Sequence, residues 1–158
     1  MEHEMKIIDG HVHLVQYIAG TGAGGELRYA GNGMAEYASG ERFRMLPDEF
    51  SGGVVTAGDI LRKMDENGVE KAVLLQGNYF GFQNLYSMDA VKKYPDRFRA
   101  AASYDPFCRS REQIRRHLFE ELGFSIVKFE VSTGSGLMAS HFTLPLDGDI
   151  MKAEYDYA

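Results

Sequence analysis

The strongest constraint on the fold of this 158-residue chain is a regular alternation of apolar runs and amphipathic stretches after Thr56. Ala57 to Asn67 carries apolar residues at helical spacing and ends at Gly68, which is typical of a helix with a glycine cap. Val69 to Leu75 follows as a continuous apolar-rich run, which indicates a buried strand. A strand from Met5 to Asp9 precedes both. The pattern therefore predicts repeated βα units.

The same pattern continues to the end of the chain. The remaining predicted elements are a helix from Leu85 to Tyr94, a strand from Phe98 to Tyr104, a helix capped by Ser110 that runs to Leu122, a strand from Phe124 to Val131, and a helix that begins near Leu146 or Asp147. Alternating units with apolar strands predict a parallel sheet whose strands are covered by helices on both faces. An open doubly wound sheet and a (β/α) barrel both fit this pattern.

Between the first strand and this regular part lies a segment of different composition, Val15 to Thr56. Nine of the 18 glycines fall in its 42 residues. We predict a long loop with short helical pieces, and because loops of this length in compact domains are usually functional, we interpret it as a lid over a site.

The motif that indicates chemistry is Asp9-Gly10-His11-Val12-His13, at the carboxyl end of the first predicted strand. Side chains alternate along a strand, so His11 and His13 are expected on one face, where both imidazoles can bind one metal ion. Asp9 is expected to orient a ligand or to hold the turn. The carboxyl ends of strands are where barrels and open α/β sheets place their active sites.

These residues also carry a resemblance to a known family. Ile7 to Leu14 resembles the opening of amidohydrolase-superfamily barrels, in particular the amidohydrolase-related branch that includes aminocarboxymuconate-semialdehyde decarboxylase. Val69 to Leu75 resembles the second strand of that branch, and Tyr94 to Phe98 its turn before the third strand. The resemblance implies a (β/α)8 barrel of TIM type and a divalent metal, zinc by preference, held by His11 and His13. It also implies hydrolysis or non-oxidative decarboxylation of a small carboxylate-bearing substrate.

The chain is short for that family. Outside the lid segment its four units average about 29 residues, near the roughly 30 of a βαβ unit, whereas a complete barrel needs about 250. We therefore predict one partial barrel domain over residues 1–158, the N-terminal half, with residues 15–56 as the lid. The resemblance places further metal ligands on later strands that this sequence lacks, so a truncated, split or shortened enzyme with little activity as an isolated chain is expected.

Four further residues are candidates for substrate binding. Lys128 and Glu130 share one face of the fourth predicted strand, where some amidohydrolases place a residue that bridges two metals. His141 lies in the loop after that strand, and Arg44 lies in the lid segment. No catalytic residue is assigned from the sequence.

Two other functions fit the same motifs. The first is a non-catalytic half-barrel that pairs with a second copy or with a separate chain that supplies the missing half, because a four-stranded parallel sheet has two unpaired edges. The second is a metal-dependent phosphoesterase, another barrel class with an H-x-H strand.

Charge and cysteine content limit the partners. The chain has 17 basic and 23 acidic residues, a net charge of −6, and no basic run longer than two residues, which argues against nucleic acid and anionic membranes. Cys108 is the only cysteine, so no intrachain disulfide can form, and a cytoplasmic protein is expected.

Overall fold

A computed structural model describes residues 6–158 of the chain. Met5, the predicted start of the first strand, lies outside the described residues. The strands are β1 (Ile7–Val12), β2 (Ala19–Gly22), β3 (Gly25–Tyr29), β4 (Met34–Tyr37), β5 (Arg42–Arg44), β6 (Val69–Leu74) and β7 (Phe98–Ala100). The helices are α1 (Ala57–Glu66), α2 (Asn84–Lys93), α3 (Arg111–Arg116), α4 (Leu137–Ser140) and α5 (Asp149–Tyr157). A 3-10 turn, Asp48–Phe50, precedes α1, and a π-helical segment, His117–Glu121, extends α3.

Three strands form the predicted parallel sheet, in the order β1-β6-β7. The fourth predicted strand, Phe124 to Val131, is wrong as a strand: it contributes one parallel bridge, Ala102 to Val127. After Lys128 the main chain bonds elsewhere, since the carbonyl of Glu130 accepts the N–H of Leu137 at 2.8 Å. A segment that makes its backbone hydrogen bonds within a loop cannot continue a ladder.

The helices agree with the sequence pattern in position. Thr56 and Asp59 form a reciprocal capping box at the start of α1, and Gly68 follows the helix with a φ of +66°. α3 starts at Arg111 next to the predicted cap, but the side chain of Ser110 makes no capping hydrogen bond. The final helix starts at Asp149, slightly later than expected.

The main core lies between the parallel sheet and its helices. Its buried side chains include Val12 from β1, Leu74 from β6, Phe98 from β7 and Met88 from α2. The opposite face of the sheet is open: Ile7 is 42% exposed and the first five residues of β1 are exposed. The expectation of helices on both faces is therefore wrong for the described residues, which close no barrel.

The lid segment is not a loop. It folds into a four-stranded antiparallel sheet in the order β2-β3-β4-β5, and a bridge from Val15 to Val55 joins its two ends. Turn glycines with positive φ, such as Gly31 and Gly33, reverse the chain between the strands. The sheet has its own small core, which comprises Val15, Ile18, Leu27, Ala35, Tyr37, Leu46 and Val55. We call this unit the lid sheet.

The last helix is held in place by a buried carboxylate. Glu154 of α5 is buried and bonds to the hydroxyl of Tyr104 and to the guanidinium groups of Arg111 and Arg115, which fixes the helix against α3 and the segment after β7.

Over residues 6–158, no helix is both long and apolar enough to cross a membrane.

Candidate functional site

The two predicted metal ligands meet at the carboxyl end of β1. The Nε2 atoms of His11 and His13 lie 3.1 Å apart, and the two rings contact edge to face. Between Asp9 and Val12, β1 contains one residue more than the facing part of β6, which makes this a β-bulge. Side chains do not simply alternate between the two faces of a strand through a bulge, yet the imidazoles of His11 and His13 still converge as expected.

Each histidine is held by its surroundings. The carboxylate of Asp9 accepts the N–H of His11 at 2.9 Å, so Asp9 holds the turn, one of its two expected roles. Nδ1 of His13 lies 2.9 Å from the carbonyl of Leu75, at the end of β6. A carbonyl only accepts, so the proton of His13 lies on Nδ1 and the lone pair on Nε2 faces His11. Burial lowers the pKa of His13, which favours the neutral imidazole that metals bind.

Lys128 and Glu130 line the same pocket as the two histidines. The pocket has a volume of about 330 Å³, and its other lining residues are Gly77, Tyr79 and Phe80. Lys128 follows the Ala102 to Val127 bridge and Gly77 follows β6, so both reach the pocket from segments that leave the carboxyl-end edge of the parallel sheet. The structure thus brings four of the candidate residues together.

Glu130 is fixed within this pocket. One carboxylate oxygen accepts hydrogen bonds from the hydroxyls of Ser132 (3.2 Å) and Ser135 (3.1 Å). The other oxygen faces Gly77, where an added Cβ would lie 2.4 Å from it. A larger residue at position 77 would therefore force this carboxylate to move.

The sequence analysis missed the aromatic wall of the pocket. Tyr79 and Phe80 occupy the loop after β6, and the ring of Phe80 lies 5.0 Å from that of His13. Burial raises the pKa of Tyr79 to about 12, so its phenol remains protonated at neutral pH. The sequence did contain a signal for this wall, because Tyr79 and Phe80 are adjacent aromatic residues in the turn-rich segment that follows the carboxyl end of β6.

Two candidates lie elsewhere. His141 pairs with Asp105, Nε2 to Oδ2 at 2.7 Å, and its ring contacts Phe107. Arg44 donates to Asp48 at 2.8 Å within the lid segment. Neither residue lines the pocket of the two histidines, because each is held by a carboxylate outside it.

The pocket offers few candidate metal ligands among the described residues. Residues 6–158 contain no group of three or more histidine, cysteine, aspartate or glutamate side chains arranged to share one ion. The two predicted ligands, His11 and His13, contribute two nitrogens to the pocket, and Glu130 lines the same pocket.

Comparison with known proteins shows a similarity in structure. No protein-family model matches the chain, and no curated protein matches it. The chain is similar in structure to a probable 2-pyrone-4,6-dicarboxylic acid hydrolase from Acinetobacter baumannii, solved with citric acid bound. The sequences are 20% identical, and the TM-score is 0.53.

The likeness is one of fold. The match covers 94% of this chain and 44% of the hydrolase chain, so this chain spans less than half the length of that protein. At this identity only the fold is shared, and a mixed α/β fold agrees with the predicted fold class.

Proposed function

We propose that this chain provides the metal-binding strand and part of the substrate pocket of a metal-dependent hydrolase or non-oxidative decarboxylase that acts on a small carboxylate. The observation that carries the proposal is the pair of Nε2 atoms 3.1 Å apart in a pocket that also contains Lys128 and Glu130. Two imidazole nitrogens at this distance share a proton or a cation, because two facing lone pairs repel each other.

The donor set fits a divalent metal. When two nitrogens bind the same zinc ion at about 2.0–2.1 Å, they lie roughly 2.9 to 3.4 Å apart. This range corresponds to N–Zn–N angles between the octahedral and the tetrahedral value. The observed separation of His11 and His13 falls within that range. The carbonyl of Leu75 supports His13 in the way that outer-shell acceptors orient ligating histidines. When bound, the metal would polarise a carbonyl or carboxylate or lower the pKa of a water.

The chain's own residues have separate tasks in this proposal. Lys128 binds a substrate carboxylate by charge, since it is the one cationic side chain among the residues that line the described pocket. Glu130 has one oxygen held by two serine hydroxyls, which leaves the other free to accept a proton or a hydrogen bond from the bound molecule. The neighbour is named as a hydrolase of a dicarboxylic acid and was solved with citric acid bound, and the carboxylates of both molecules support this substrate class.

The experiment that tests the site is metal analysis of the purified chain against a His11→Ala/His13→Ala variant. We expect bound zinc in the parent protein, after incubation with zinc and gel filtration, and none above background in the double variant. His117→Ala is the matched control, because His117 pairs with Glu121 on an exposed helix. Equal metal content in parent and double variant would refute the site.

We also propose that the open half-barrel pairs with a second copy or with a chain that completes it. The support is the exposed strand β1, with Ile8 61% exposed, at one edge of a sheet whose inner face has no covering layer among residues 6–158. Light scattering coupled to size exclusion measures this directly. A dimer is expected for self-pairing. A folded monomer would exclude self-pairing under those conditions, and co-purification from the source cell would then test for a separate chain.

A further inference from the structure

A series of aromatic rings connects the lid sheet to the pocket of the two histidines. The ring of His13 contacts Phe80, Phe80 contacts Tyr79 at 5.9 Å, and Tyr79 contacts Phe43 of β5 at 5.6 Å. Phe43 in turn lies 5.7 Å from Tyr37 of β4. We call these five residues the ring series. It runs from the metal-ligand strand into the core of the lid sheet.

The backbone makes the same connection independently. The N–H groups of Ala19 and Thr21 in β2 donate to the carbonyls of Phe80 (3.2 Å) and Asn78 (3.0 Å). Gly20 lies between them against the loop, where an added Cβ would be 2.1 Å from the carbonyl oxygen of Tyr79. The loop that carries the aromatic wall is thus held by the lid sheet in both main chain and side chain.

We propose that the lid sheet determines which ligands the pocket accepts, with Phe43 as the positioning residue behind Tyr79. This inference rests on the proposed function and extends it. Tyr79 and Phe80 present aromatic rings on one side of the pocket, and Lys128 presents a cation. Such a site selects a carboxylate attached to a flat, unsaturated body, because a planar ring packs against an aromatic wall better than a puckered ring of the same size.

Phe43 does not line the pocket, so its effect must pass through Tyr79. Interiors are close-packed, and loss of the supporting ring leaves Tyr79 free to settle into the vacated space. The wall would then lose its fixed orientation, while His11, His13 and Lys128, which lie outside the lid sheet, keep their positions. Selectivity for shape should therefore fall, and binding of metal and of the carboxylate group should persist.

The test uses two acids that differ in shape but share the carboxylate, benzoate and cyclohexanecarboxylate. Their affinities for the full chain are measured by titration calorimetry with and without zinc. We expect benzoate to bind about threefold to tenfold more tightly, the range that aromatic contacts supply. Phe80→Leu, which removes part of the wall, and Phe43→Leu, which removes its support, should bring the ratio close to one. Lys128→Met should weaken both acids alike.

Phe50→Leu is the matched control for Phe43→Leu. Phe50 packs against the same core of the lid sheet and lies outside the ring series, so its loss should destabilise that core comparably and leave the affinity ratio unchanged. Thermal melts of both variants confirm that each is folded at the temperature of the titration.

The outcomes separate this inference from the proposed function. Equal affinity of the two acids in the parent chain, a ratio in Phe43→Leu equal to that of the parent, or no binding of either acid would overturn the inference. Zinc bound through His11 and His13 in any of those cases would leave the metal site standing. A preference for benzoate in a chain that binds none of the added zinc would support the wall and contradict the metal site.

Discussion

The parallel sheet and the lid sheet both depend on buried apolar side chains, but they collect them over very different lengths of chain. The core of the parallel sheet joins Val12, Leu74 and Phe98, which are separated by more than twenty residues at each step. The lid sheet joins Leu27, Ala35 and other residues within the segment from Val15 to Val55. One region draws its buried residues from most of the chain, and the other draws its fully buried residues from a single segment.

This difference bears on function. His11 and His13 belong to the region that is built from distant segments, whereas the aromatic wall of their pocket is held by the local one. A pocket at the junction of two units can keep His11 and His13 in place while changes in the second unit alter its shape. Loops on a rigid scaffold have the same property in enzymes.

The largest expected effect tests whether the two regions unfold separately. Leu74 in β6 and Leu27 in β3 are both fully buried, so replacement of either by alanine should cost about 3 kcal/mol in the free energy of unfolding of its own region. Leu74→Ala should lower the urea midpoint of the whole protein. Leu27→Ala should mainly expose amides of β2 to β5 in hydrogen exchange, since local units open at lower free energy than the whole.

Leu74→Ala and Leu27→Ala act as controls for each other because the substitution and the burial are the same. If Leu27→Ala reduced exchange protection equally in β6 and β3, the two regions would form one cooperative unit. The distinction drawn above between a core and a separate lid sheet would then fail.

The sequence predicted the parallel region well because its signals are local and periodic. Helix α1 was predicted from apolar spacing and its glycine cap, and β6 from an apolar run at its carboxyl end, Ala72 to Leu75. The extent of the fourth strand was not predictable, because its pairing depends on a neighbour strand and on the loop bonds of Glu130. Apolar runs indicate burial, and they do not indicate how far a ladder extends.

The lid sheet was missed because its strands are three to five residues long and rich in glycine, a composition typical of loops. The positions of His11, His13, Lys128 and Glu130 followed from strand ends, and the structure places all four in one pocket. His141 and Arg44 did not follow, since His141 lies in a loop without periodicity and Arg44 lies in a short strand of the segment that was predicted as a loop. The part of the wall formed by Tyr79 and Phe80 depends on contacts with the lid sheet, which no local pattern predicts.

A smaller effect is expected at the junction of the two regions, where Thr56 ends the lid segment and caps α1. Thr56→Ala should cost about 1 kcal/mol in the free energy of unfolding, the usual value for a lost N-cap. Hydrogen exchange should increase in the first turn of α1 and remain unchanged in β3 and β4. Ser110→Ala is the control, because that hydroxyl makes no cap bond at the start of α3 and its loss should be nearly neutral.

The same variant makes a prediction for pH. Hydrogen bonds from the side chain and backbone of Thr56 hold the pKa of Asp59 below its usual value of 3.8. Because the pKa of Asp59 is lower in the folded state, its ionised carboxylate stabilises the folded protein at pH values above the unfolded-state pKa. This contribution is lost as the pH falls through the folded-state pKa. In Thr56→Ala the side-chain bond is gone, so the loss of stability on acidification measured by urea unfolding should be smaller than in the parent. An equal acid dependence in both proteins would mean that the backbone bond alone holds Asp59, and that the junction gains nothing electrostatic from the threonine hydroxyl.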